Sequence, residues 1–146
     1  MTQITQMERG AMRSVTFATS DSKSRLWTSY GLSGIAVLFL LFDSVIKVLQ
    51  VGPVQASLTE LGYPVTLAFT LGVIELSCLA LYVWPQTSVL GAILLTGYLG
   101  GAVATHVRIG SPLASHTLFP LYVAALVWGG MFLRERRLHA LVPWRR

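Results

Sequence analysis

Between Leu26 and Leu133 the chain carries only five formal charges, Asp43, Lys47, Glu60, Glu75 and Arg108. A water-soluble protein of this size has a large surface relative to its volume and must cover it with polar groups. Here 53% of residues are hydrophobic and 12% are charged, about half the roughly 25% charged content of soluble domains. A soluble enzyme, a nucleic-acid-binding domain and a disordered chain are all poor solutions for such a composition. The lone Cys78 excludes an internal disulfide framework and a two-cysteine redox centre.

A membrane-spanning helix needs about 20 mostly apolar residues, with a working range of about 17–25. The gaps between charges and prolines predict four such spans, at about 26–50, 64–84, 88–106 and 117–133. Pro64 and Pro120 fall near first helical turns, where a missing amide hydrogen costs little. Trp27, Tyr63, Trp84 and Trp144 fall near span ends and Trp128 within the fourth, a partial aromatic belt. Helices satisfy their own backbone in hydrocarbon, so the expected fold is all-α, a transmembrane four-helix bundle.

Basic residues set the expected orientation. Arg9, Arg13, Lys23 and Arg25 precede the first span, and Arg134, Arg136, Arg137, Arg145 and Arg146 follow the fourth. Only Lys47 and Arg108 fall toward the other side, and the turn around Pro85–Thr87 has none. Positive residues stay on the cytoplasmic side, so both termini are expected there. Residues 1–25 read as a disordered basic lead, 26–133 as the membrane domain and 134–146 as a basic tail lying against headgroups. The net charge of +5 thus points to a membrane surface, not nucleic acid.

Ionisable groups within a span cost roughly 2.5–3.5 kcal/mol each, so those present are functional candidates. Asp43 and Lys47 are four apart and share a helix face. Glu75 lies mid-span, about 16 Å in from Pro64 at the helical rise per residue. His106, Arg108 and His116 sit where the third span ends and the fourth begins. Nearly all fall in the outer half, which predicts a polar pocket lined by Asp43, Lys47, Glu75, His106, Arg108 and His116. The plainer readings are a local Asp43–Lys47 ion pair, a protonated Glu75 hydrogen-bonded across the bundle, and interfacial polar residues. A metal held by His106, His116 and a carboxylate lacks local ligand spacing, and nothing in the sequence orients a base for Ser111 or Ser115. Small residues allow close helix contact in lipid; Gly72, Gly97 and Gly101 are the expected packing positions, internal packing being preferred over a homodimer.

The polar end of the first helix (Phe42, Asp43, Ser44, Lys47), Gly62–Tyr63–Pro64, Gly72 with Glu75, and Gly97–Tyr98–Leu99–Gly100–Gly101–Ala102 leading to His106 resemble, in that order, the DoxX-like family of small four-helix membrane proteins. The resemblance covers about residues 27–133. It implies an integral protein of the bacterial inner membrane, in a family linked to quinone-reducing sulfur oxidation and disulfide handling. Thiol exchange needs a second sulfur, which Cys78 lacks. No haem, flavin, NAD or metal motif is present, and quinone is the ligand the resemblance suggests. The resulting expectation is an accessory or scaffold protein, leaning away from catalysis, with an outward-facing polar pocket that binds a small ligand or docks a redox partner such as a membrane redox complex. A proton-coupled transporter using Glu75 and a purely structural protein are the alternatives.

Overall fold

In the computed structural model the described residues are helical apart from turns and short connections. The structure describes residues 2–135 and 138, with side chains from residue 23 onward. Helix α1 spans Thr2–Val48, α2 Gly52–Glu60, α3 Leu67–Val83, α4 Ser88–Arg108 and α5 Phe119–Arg134, with a π-helical turn at Leu113–Thr117 leading into α5. The helical backbone of α1 begins at Thr2, so no break separates the stretch expected as a disordered lead from the first span. The basic tail lies almost wholly outside the described residues.

Among the described residues, three segments are long and apolar enough to cross a membrane, Lys23–Val48, Ser88–Arg108 and Leu113–Arg134. The fourth bundle helix, Leu67–Val83, has 17 residues, the short limit of a spanning helix. It begins after a turn at Val65–Thr66, closed by the Leu67 and Ala68 amides donating to the Pro64 and Val65 carbonyls. The Gly52–Gly62 connection, expected as loop, contains α2, which starts with proline in its first turn, where φ is already helical.

The four long helices close into a ring in which α1 touches α3 and α5, and α4 touches the same two. Neighbours run antiparallel. Ser29 Oγ of α1 donates to the Gly130 carbonyl of α5 at 2.6 Å, while at the other end Phe39 and Phe119 stack edge to face at 5.1 Å. The described ends of α1 and α5 and the Pro85–Thr87 turn therefore share one end of the bundle. The core holds Leu40, Leu79, Tyr82, Leu95, Val127 and Met131. Outward-facing apolar side chains such as Trp27, Leu38 and Trp84 are 78%, 70% and 62% exposed, a pattern that lipid, not water, accommodates.

Three glycines set helix approach, and at one of them, Gly130 of α5, a Cβ would stand 2.9 Å from the Ser33 amide nitrogen and 3.0 Å from the Ser29 carbonyl oxygen of α1. A Cβ at Gly72 would stand 2.9 Å from the Ser44 carbonyl oxygen and the Val48 backbone, so α3 lies directly on the α1 backbone. At Gly91 a Cβ would collide with the backbone of Leu81 and Tyr82. Gly97 and Gly101, expected as a packing pair, do not pack: a Cβ at either would meet nothing within 4 Å. Both border a cavity instead, because α4 turns this face toward open space between the helices.

Candidate functional site

The contact of Gly72 with Ser44 and Val48 decides the polar chemistry. Glu75 follows Gly72 by three residues, on the same face of α3, and is thereby pressed against Lys47. Lys47 is reached from its own helix by Asp43, four residues earlier. Lys47 Nζ lies 2.5 Å from Asp43 Oδ2 and 2.9 Å from Glu75 Oε2. It also donates to Tyr98 Oη of α4 at 3.1 Å, and Tyr98 donates to Glu75 Oε2 at 3.1 Å. Three helices thus meet at one ammonium. Glu75 is fully buried, and its Oε1 has no hydrogen-bond partner among the described residues. Asp43 and Lys47 keep part of their side chains accessible, 31% and 20%.

Beside this cluster is a cavity of about 540 Å³ between α1, α3, α4 and α5, covered by residues of α2 and of the π-helical turn. Its walls are mostly apolar, with Phe39, Leu58, Leu71 and Phe119 among them. Polar groups converge at two levels. Toward the bundle middle are Asp43, Lys47 and Tyr98; near the helix ends are Tyr63, Thr105, His106, Ser115 and His116. The His106 and His116 rings are 5.9 Å apart. Each ring has its Nδ1 against a serine hydroxyl, Ser111 Oγ at 3.0 Å and Ser115 Oγ at 2.7 Å.

Of the residues expected to line one pocket, Asp43, Lys47, His106 and His116 border the cavity. Glu75 does not: it sits behind Lys47 and Tyr98, sealed from the space. Arg108 also lies outside it. Its guanidinium donates to the Leu61 carbonyl and lies 5.4 Å from the Tyr63 ring centre, tying the segment after α2 to the end of α4. Tyr63 reinforces this tie through a 3.0 Å contact with Thr105. Tyr98 and Tyr63 were not anticipated as site residues. The available signal for Tyr98 was a phenol well inside an apolar span, where a buried hydroxyl requires a partner. No group of three His, Cys, Asp or Glu residues able to hold a metal occurs among the described residues. Cys78 is buried and free.

Comparison with known proteins gives one family match. The model of the DoxX-like family matches residues 31–130, which takes in the polar cluster and most of the cavity wall. No curated protein and no solved structure matches the chain.

Proposed function

The chain belongs to the DoxX-like family, and on that footing we propose that its bundle is a ligand-binding accessory protein of a membrane redox system. The observation that carries this reading is the cavity itself: about 540 Å³, apolar walls, and a few convergent polar groups. Small-molecule sites have that character, with volumes of roughly 300–1,000 Å³. A molecule taken from the bilayer, with an apolar body and one polar head, fits such a space. A quinone headgroup is the ligand suggested by the family. Asp43, held by Lys47 on the cavity wall, then acts as the polar binding group, and no covalent step is assigned to the protein.

Gly101→Leu tests the cavity. The site of the new side chain borders the open space and a Cβ there meets nothing within 4 Å. Purified protein in nanodiscs should bind a decyl-benzohydroquinone, kept reduced, saturably, and the variant should lose about tenfold or more in affinity while keeping its helicity and melting behaviour. Equal binding by both proteins would defeat the reading. Proton-linked flux in liposomes that disappears in Glu75→Gln would replace it with the transporter.

We further place the protein in the bacterial cytoplasmic membrane with both termini inside, because nine of the eleven Lys and Arg residues precede or follow the four spans. The cavity, at the opposite end of the bundle, then opens outward. In a Cys78→Ala background, Thr87→Cys should react with an impermeant maleimide only after the cells are opened, and Gly110→Cys in intact cells. The reverse pattern would invert the orientation.

A further inference from the structure

The hydrogen-bond inventory around the cavity is one-sided. An ammonium has three donors and no acceptor. Lys47 Nζ has three acceptors in reach, Asp43 Oδ2, Glu75 Oε2 and Tyr98 Oη, so all its protons are committed within the protein. Tyr98 has one proton and gives it to Glu75 Oε2. Thr105 gives its proton to the Gly101 carbonyl at 2.9 Å, so in the Tyr63–Thr105 contact the donor is Tyr63. Every donor on these four side chains is therefore engaged.

Acceptors are not. Asp43 has one carboxylate oxygen, Oδ1, outside the bond to Lys47, and its side chain remains 31% accessible on the cavity wall. The cluster also holds two carboxyl groups against one ammonium, a formal charge of −1 when both are ionised. Spare donors occur only toward the helix ends, where each serine–histidine pair keeps one proton free whichever tautomer it adopts.

We propose that the inner end of the cavity selects molecules whose head donates a hydrogen bond, neutral or cationic, and rejects heads that only accept. This rests on the ligand-pocket reading above and specifies its chemistry: a phenol, hydroquinone or ammonium head seated on Asp43, its apolar body against Phe39 and Phe119. For a quinone couple it means that the reduced, dihydroxy form is held more tightly than the oxidised form, which has carbonyl acceptors alone.

Four probes with a common body test this on the wild-type protein in zwitterionic nanodiscs, corrected for partition into empty discs: 4-butylphenol, its methyl ether, 4-butylbenzylamine and 4-butylbenzoate. The phenol and the amine should bind about tenfold or more tightly than the ether and the benzoate, the ratio expected for one hydrogen bond to a charged group. Asp43→Asn should reduce the preference for the amine. The inference is overturned if the ether equals the phenol or the benzoate equals the amine. If all four bind alike and Gly101→Leu weakens all four, the cavity reading survives and donor selection falls. If Gly101→Leu weakens none, the cavity reading itself has failed.

Discussion

Lys47→Met is expected to lower the unfolding free energy by about 3–5 kcal/mol, the cost of leaving one partner of a buried ion pair alone. Glu75 is 0% exposed and its Oε1 already lacks a partner among the described residues. Without Lys47, the only remaining hydrogen bond to its carboxyl among the described residues is from Tyr98. Glu75→Gln should cost less, because Lys47 keeps Asp43 and an amide replaces the carboxylate. The double variant should be more stable than Lys47→Met by itself, since it removes the stranded charge. Denaturant titration of the protein in micelles, followed by far-ultraviolet circular dichroism, measures all three. A Lys47→Met midpoint equal to wild type, or a double variant no better than the single one, would show that the three-helix junction is not an energetic unit.

Gly91→Ala is the second large effect, although it adds one methyl group. The new Cβ would overlap the backbone of Leu81 and Tyr82 at the end of α3. Backbone cannot move aside as a flexible side chain can, so α3 and α4 must separate at the Pro85–Thr87 turn. Tyr82 would be displaced with them, and it bridges Ser33 of α1 at 3.0 Å and the Val127 carbonyl of α5 at 3.1 Å. Overpacking of this kind costs about 1–3 kcal/mol and sometimes more; loss of the bridging hydroxyl contacts places Gly91→Ala at the upper end. Gly97→Ala, on the same helix, should be close to neutral, because its Cβ faces open space. Thermal unfolding of the two variants side by side gives the comparison. Equal losses would mean that the two glycines are equivalent, contrary to the packing.

Both results depend on features that differ in how far the sequence reveals them. The Asp43–Lys47 contact follows from helical spacing alone, since residues four apart face one another. That Glu75 needs a partner also follows, because a carboxyl far from water cannot stand unaccompanied. Which partner it takes does not follow. Lys47 is 28 residues away, and the pairing exists because Gly72 admits α1 at backbone distance. The contrast between glycines is equally hidden. Gly97 and Gly101 have the spacing of a helix-contact motif, yet they border a cavity, while Gly91 makes the tighter contact. A glycine marks a place where a side chain is absent; the neighbouring helix decides whether backbone or empty space fills it.

The sequence by itself therefore determined the solvent and the architecture: lipid around an all-helical bundle, with few ionisable groups gathered toward one end. Those properties are set by composition and by short-range periodicity, which act residue by residue along the chain. Tertiary structure alone decided that Glu75 is sealed behind Lys47 and Tyr98, that Arg108 ties a loop instead of lining the cavity, and that the cavity's inner wall has acceptors to spare. Each of these depends on the distance and rotation between helices, and those are fixed by contacts among residues far apart in sequence.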